Sequence, residues 1–255
     1  MQHLHIDIFG HGSDLALLHG WGLHGGIWDG VRETLAQQFR VHVVDLPGYG
    51  ASPWCEPYTL EALARRVAEA LPERTHVVGW SLGGQAALQW ASLAPQQIGK
   101  LVLIGTTPCF GQREDWAHGM SQTMLAQFAA SLEQDYEGTL KRFLSLQARS
   151  GDDARATIAT LREKLFARGR PSIDTLRAGL AILSGLDMRA DVAAIKHATL
   201  VIHGSRDTLT PPAAAQWLAS ALPRAKLEII RGAAHAPFLS HPQATVDLVT
   251  RFLHG

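Results

Sequence analysis

Cysteine is nearly missing from this chain: Cys55 and Cys109 are the only two in 255 residues. They form neither a C-x-x-C pair nor a Cys/His zinc spacing, which excludes a disulfide scaffold and a zinc module. Two free thiols fit a reducing compartment, and both read as small buried hydrophobes. Net charge is missing as well: 23 Lys and Arg balance 23 Asp and Glu. No global basic field therefore points to nucleic acid, and no aromatic-studded basic groove motif appears. No long uncharged apolar run is present, so no membrane span is expected. The N-terminus, Met1-Gln-His-Leu-His-Ile-Asp-Ile-Phe9, alternates like a strand and lacks the basic and apolar regions of a signal peptide. These absences predict a cytoplasmic protein. No fixed-period repeat and no low-complexity tract interrupts the chain.

What remains is 46% hydrophobic and 18% charged, ordinary for a globular protein long enough to bury one large core. The stretch from Thr75 to Leu93 organises the rest. A β-branched apolar run, Thr75 to Val78, leads into Gly79-Trp80-Ser81-Leu82-Gly83, and an Ala/Leu-rich run at helical spacing follows. A G-x-S-x-G match alone is weak; strand, tight turn and helix in that order strengthen it. The two glycines remove Cβ atoms that would clash in so sharp a turn. Ser81 is thereby lifted to a helix N-terminus, where unpaired N–H groups favour developing negative charge.

Alternation of Leu4, Ile6 and Ile8 predicts an edge strand, and Leu15 to Leu18 a buried one. His19-Gly20-Trp21-Gly22 is then a glycine-rich turn that can aim a backbone N–H into a cleft, one half of an oxyanion hole. Ile27 to Gln38 reads as helix, Val41 to Asp45 as a buried parallel strand, and Leu46 to Ser52 as a loop held by Asp45 and Ser52 through side-chain-to-backbone hydrogen bonds. A helix spans Thr59 to Leu71 with Thr59 as N-cap. Pro95 closes the helix after Ser81, and Leu101 to Ile104 is another strand.

From Gly111 to Asp187 strand-like runs stop. Thr123–Leu132, Thr139–Gln147, Ala154–Phe166 and Ile173–Leu183 read as helices. The expected organisation is an α/β core from residues 1–110 and 188–255, with a helical lid, 111–187, inserted in it. Alternation resumes with a strand at Thr199 to Ile202, a helix over 212–221, a strand at Leu227 to Ile230 and a helix from Ala244 to Leu253. This pattern predicts a mostly parallel sheet covered on both faces.

A serine hydroxyl needs a base, and the base needs an orienting carboxylate. Two loops at predicted strand ends offer them: His203-Gly204-Ser205-Arg206-Asp207 and Arg231-Gly232-Ala233-Ala234-His235. Ligands of open parallel sheets bind outside such strand ends. The order Ser81, Asp207, His235 is the order of the α/β-hydrolase architecture. With 13 histidines in the chain a lone His carries nothing; His3, His42 and His241 read as surface or structural residues.

Together these stretches resemble the α/β-hydrolase superfamily along the whole chain. His19-Gly-Trp-Gly-Leu23, Trp80-Ser-Leu-Gly-Gly84, Thr107-Pro-Cys-Phe110, Arg142-Phe-Leu-Ser-Leu-Gln147 and Ala233-Ala-His-Ala-Pro-Phe238 resemble, more narrowly, the BioH family of pimeloyl-[acyl-carrier protein] methyl ester esterases of biotin synthesis. The resemblance implies hydrolysis of a methyl ester at the far end of a carrier-bound pimeloyl chain. It implies Ser81 as nucleophile, His235 as base and Asp207 as orienting acid. It also implies the N–H groups of Trp21 and Leu82 as oxyanion hole, and substrate contacts from Phe143, Leu144, Ser145, Leu146 and Gln147. No metal or organic cofactor is needed, and a monomer is expected. Rival expectations are a general short-chain carboxylesterase or a carbon–carbon bond hydrolase with the same triad. A non-enzymatic binding protein on this fold is disfavoured by the intact Ser81, Asp207 and His235.

The lid adds a charge signal. Residues 141–170 carry eight basic side chains, Lys141, Arg142, Arg149, Arg155, Arg162, Lys164, Arg168 and Arg170, against Asp152, Asp153 and Glu163, a balance of 8 − 3 = +5. An acidic acyl carrier protein would be drawn to such a surface, with Lys141, Arg142, Arg149, Arg155 and Arg162 as docking candidates. A solvated helical face is the plain alternative. The chain departs from the family pattern at Gly138 and Ala159, where family members carry a basic residue.

Overall fold

The structure, a computed structural model, describes residues 3–149 and 151–255. In chain order the elements are β1 (Ile6–Phe9), β2 (Ser13–Leu18), α1 (Asp29–Ala36), β3 (Phe39–Val44), α2 (Leu60–Ala70), β4 (Thr75–Trp80), α3 (Leu82–Leu93) and β5 (Ile98–Ile104). Then come α4 (Gln122–Gln134), α5 (Tyr136–Ala148), α6 (Ala154–Lys164) and α7 (Ile173–Gly185). The chain returns through β6 (Thr199–Gly204), α8 (Pro212–Ala221), β7 (Ala225–Ile230), the short α9 (Pro237–Ser240) and α10 (Pro242–His254).

The strands form one seven-stranded sheet in the order β1-β3-β2-β4-β5-β6-β7. β1 runs antiparallel to β3, and every other pairing is parallel. Successive strand side chains point to opposite faces. Leu15, Ala16, Leu17 and Leu18 are all fully buried, as are Leu101 through Ile104. Both faces of the sheet are therefore covered, which is why these strands read as unbroken apolar runs. The chain steps from β2 out to β3 and then back across β2 to β4, so the connection changes direction between β2 and β4. A cleft opens at such a switch point, outside the carboxyl ends of the two strands. The loop after β2 is 19–22, and the residue after β4 is Ser81.

Local chemistry explains several boundaries. The Thr59 hydroxyl accepts from the Ala62 N–H at 3.2 Å, capping α2 as its position predicts. Ser121 and Ser172 cap α4 and α7 in the same way. The Lys100 ammonium donates to the carbonyls of Phe252 and Leu253 at the C-terminal end of α10, where the helix dipole favours a cation. Asp45 and Ser52 do hold the loop between them. Asp45 accepts from the N–H groups of Gly25 and Ala51, and the Ser52 hydroxyl donates to the Asp45 carbonyl.

One expectation needs correction. The segment predicted as helix from Ile27 begins as a 3₁₀ turn over Gly25–Trp28, and the α-helix proper ends at Ala36. His24 sets that turn by accepting from the Gly26 N–H through its own ring. The expected edge strand is present as β1 at one end of the sheet, with Leu4 buried just before it and Ile8 51% exposed. His42, expected to be a surface or structural residue, is buried on β3 and lies 2.6 Å from Asp14, a structural pair.

Candidate active site

Ser81 follows β4 directly and is the N-cap of α3. Its backbone sits at φ 55°, ψ −117°, a strained conformation for a residue with a side chain. The surroundings leave no alternative. A Cβ on Gly79 would lie 2.5 Å from the Gly83 carbonyl oxygen, and one on Gly83 only 2.3 Å from that of Leu18. The Ser81 N–H is tied to the Ile104 carbonyl at 3.0 Å, which fixes the turn against β5. As the residue before α3, Ser81 stands where the first helical N–H groups, Leu82 included, lack an intrahelical acceptor.

The 19–22 loop passes close by. A Cβ on Gly20 would meet the Ser81 Cβ at 3.3 Å and the Trp80 ring at 3.1 Å, so the loop backbone runs close to the serine and a larger residue would crowd it. His19 braces the loop: one ring nitrogen lies 2.8 Å from the Gly20 carbonyl, and the other accepts from the Leu46 N–H at 2.9 Å. The ring is wholly buried, and burial pushes it down to about 4 against the opposing pull of Asp45, so it works as a neutral strut.

His235 and Asp207 sit on the loops after β7 and β6. His235 Nδ1 lies 2.8 Å from Asp207 Oδ2, with both side chains out of solvent. Asp207 is held from several sides. The N–H groups of Leu209 and Thr210 donate to Oδ1 at 2.9 Å each, and the Thr210 hydroxyl donates to Oδ2 at 2.8 Å. Burial alone would raise this carboxyl. The facing His235 and the hydrogen bonds from His203 and His235 overcome burial and hold it well below the usual carboxylate range. Asp207 is therefore an anion throughout the ordinary pH range. The His235 backbone is clamped as well: its N–H donates to the Gln147 carbonyl, and its carbonyl accepts from the Trp80 indole, each at 2.9 Å. Its Nε2 is buried and has no hydrogen-bond partner among the described residues. With Nδ1–H committed to Asp207, that nitrogen is a bare acceptor, the form a general base requires.

Sequence reasoning did not single out Thr210, His203, Trp80 or the Gln147 carbonyl. Thr210 lies three residues past Asp207, the spacing of a side-chain cap onto the same loop, and that was the one local signal available.

The segment 143–147 faces two ways, as a helix must. Phe143, Leu144 and Gln147 are buried, whereas Ser145 and Leu146 line an outer groove. Phe143 packs edge-on against Trp21 at 4.7 Å and against Phe128 at 5.6 Å. Phe128 lines the same groove, about 680 Å³ in volume, between α4, α5 and α6. Trp21, Phe143 and Phe128 are thus in successive ring contact, and only Phe128 reaches the groove. Lys141, Arg142, Arg149 and Arg162 rim the groove, while Arg155 is exposed and stands outside its lining.

The +5 balance overstates the free charge. Lys164 pairs with Asp29 at 2.8 Å, Arg168 with Asp7 and Asp45, and Arg170 and Lys141 both with Glu137. These acids lie outside the counted window. Gly138 has its own reason: a Cβ there would fall 1.9 Å from Asp135 Oδ2, whose carboxylate caps α5 through the Gly138 N–H.

A family profile described as alpha/beta hydrolase fold matches residues 15–242. The chain belongs to this family. A bromoperoxidase from Bacillus anthracis shares the fold with a TM-score of 0.90 at 22% identity, over 99% of this chain and 95% of that one. Within the family the chain is 45% identical to the pimeloyl-[acyl-carrier protein] methyl ester esterase of Nitrosomonas europaea, over 97% of this chain and 98% of the relative. It is 42% identical to the one of Chromobacterium violaceum, over 99% and 98%. Its place is among the pimeloyl-[acyl-carrier protein] methyl ester esterases.

Proposed function

We propose that the protein is a serine esterase of biotin synthesis, converting the methyl ester of pimeloyl-[acyl-carrier protein] to pimeloyl-[acyl-carrier protein] and methanol. The observation that carries the mechanism is the buried Asp207–His235 pair, whose Nε2 has no partner among the described residues, together with a serine on a strained strand-to-helix turn.

Ser81 Oγ attacks the ester carbonyl carbon as His235 Nε2 takes its proton. Asp207 stabilises the imidazolium that forms. The carbonyl oxygen becomes an oxyanion held by the N–H groups of Trp21 and Leu82. Collapse of this adduct breaks the bond to the methoxy oxygen, which leaves as methanol with the proton from His235. Water then attacks the acyl-serine, again deprotonated by His235, and a second collapse returns Ser81 and releases the free acid.

The lid helices supply the specificity in this reading. The groove rimmed by Lys141, Arg142, Arg149 and Arg162 suits an acidic carrier protein, and its apolar lining from Met124, Phe128, Leu146 and Ile158 suits an apolar acyl chain. Arg155 extends the same exposed basic face. The reading takes the protein as a cytoplasmic monomer, with which its two unpaired cysteines agree. The test is genetic: the gene should restore growth without biotin to a strain lacking this esterase step, and the Ser81→Ala gene should not. Failure of a soluble, expressed parent protein to rescue would overturn the reading.

A further inference from the structure

His203 is a buried histidine that the mechanism above does not use. It is the penultimate residue of β6, fully out of solvent. Its Nε2 lies 2.6 Å from the Thr210 carbonyl oxygen and 3.2 Å from Asp207 Oδ2. A carbonyl oxygen can only accept, so Nε2 carries the hydrogen. One N–H is thus shared between the backbone of the 207–210 turn and the carboxylate oxygen that His235 uses. Nδ1 is buried with no partner among the described residues. In the neutral ring that atom is a bare lone pair; in a charged ring it would be a buried N–H without an acceptor, which is costly. Burial and this missing partner oppose a charge on His203, and Asp207 favours one. The titratable groups facing the ring are Asp207 and, across Oδ2, His235.

We infer that His203 is a positioning residue of the catalytic pair: its Nε2–H orients Asp207 Oδ2 toward His235 and draws off part of the charge that Oδ2 presents there. The inference rests on the Ser81–His235–Asp207 reading above. The geometry supports it in two ways. First, the Leu209 and Thr210 N–H groups fix Oδ1, but Oδ2 must be shared among donors so that one lone pair meets His235 squarely. The Thr210 hydroxyl and His203 approach that oxygen from the loop and from the strand. Secondly, the same His203 N–H ties down the Thr210 carbonyl, so strand β6 holds the turn itself. A donor on Oδ2 weakens the attraction of Asp207 for a proton on His235. Its loss would strengthen that attraction, whether His203 is neutral or charged.

The test compares His203→Met, which keeps a similar volume without a donor, with His203→Gln, whose amide N–H can reach where Nε2 stands. His203→Met should lower kcat about ten- to thirtyfold with KM nearly unchanged. It should also move the limb of the kcat/KM profile that needs the unprotonated base up by roughly half a pH unit. His203→Gln should stay within about threefold and leave the limb in place. Rates are taken per serine titrated by a fluorophosphonate, so misfolded protein is not counted. In the parent protein, nitrogen-15 spectra should show a hydrogen on His203 Nε2, whether or not Nδ1 is protonated as well. The Nδ1–H tautomer, an unmoved limb in His203→Met, or equal losses in both variants would overturn the inference. A parent protein whose Ser81 the probe does not label would instead overturn the triad reading, and this inference with it.

Discussion

The indole N–H of Trp80 donates to the backbone carbonyl of His235 at 2.9 Å, joining the residue before the candidate nucleophile to the candidate base 155 positions further on. The Trp80 ring also stacks at a tilt on His235, 5.6 Å between centroids, and edge-on to Phe238 at 5.2 Å. The x of the G-x-S-x-G turn is therefore a strut between two loops that have to meet. Ring packing sets where the His235 loop lies, and the single hydrogen bond sets its height above β4.

Trp80→Phe tests this strut. It keeps an aromatic ring and leaves the His235 carbonyl buried without its donor. The expected cost in stability is about 1–3 kcal/mol, the desolvation penalty of one unsatisfied buried acceptor. kcat should fall roughly tenfold, since a displacement of the base by a fraction of an ångström is enough, while KM changes little. Urea unfolding and steady-state kinetics read the two effects. Unchanged kcat with lowered stability would make Trp80 a core residue only.

Ser81→Ala should remove esterase activity and leave the fold standing. Alanine keeps the Cβ that the turn already accommodates at φ 55°, so no strain is added or relieved. Loss of a triad nucleophile costs on the order of 10⁶ in kcat. A folded variant within about tenfold of the parent rate would show that another group attacks the ester.

His19 gives the stability curve a sign. Burial lowers its value to about 4, against an ordinary 6.5 in the unfolded chain. Between those two values the unfolded chain binds a proton that the folded protein refuses. Stability should therefore fall as pH drops from about 6.5 and level off below about 4, at up to about 1.4 kcal/mol per unit. His24, lowered chiefly by its own burial, works in the same direction. His203, raised on balance by Asp207, works in the other, so the measurement must be a difference. His19→Gln should be less stable than the parent at pH 7, because two loop hydrogen bonds are disturbed. Its urea midpoint should also depend less on pH between 7 and 5. Parallel curves for the two proteins would mean that His19 is not the proton-linked group.

These residues also mark what could be read before the fold was known. Leu15 to Leu18 and Thr75 to Val78 announced central strands because burial on both faces removes the polar alternation. The α8 boundaries, Pro212–Ala221, coincide with the expected 212–221, since a proline can open a helix where its missing N–H costs nothing. The short α9 was invisible because four residues carry no period. His203 and Thr210 sat in plain view beside Asp207, but their roles depend on which atoms share Oδ2, a matter of fractions of an ångström. Charge in the lid was misjudged for a related reason: Asp7, Asp29 and Asp45 reach it only after the chain has folded across more than a hundred residues.

The corrected charge map sharpens the last prediction, which concerns the carrier protein. Lys164 and Arg168 are occupied by core acids, and Lys141 and Arg170 share Glu137, so reversing those would break internal pairs. Arg149 and Arg162 are better placed. Both are exposed and rim the groove, and Arg162 donates to the Ser145 hydroxyl at 3.5 Å with no ion pair among the described residues. Arg149→Glu with Arg162→Glu should raise KM for the carrier-bound methyl ester roughly ten- to a hundredfold at low salt, through a slower encounter. Hydrolysis of a small ester such as p-nitrophenyl butyrate should hardly change, because it makes no docking contact. The difference should shrink as salt rises, since the Debye length falls from about 10 Å at 0.1 M to about 3 Å at 1 M. Equal losses on both esters would mean that the groove had been deformed and Phe128, Phe143 and Trp21 moved with it. No loss on either would leave these arginines as a solvated face, and the docking surface would have to be sought elsewhere on the lid, first at the exposed Arg155.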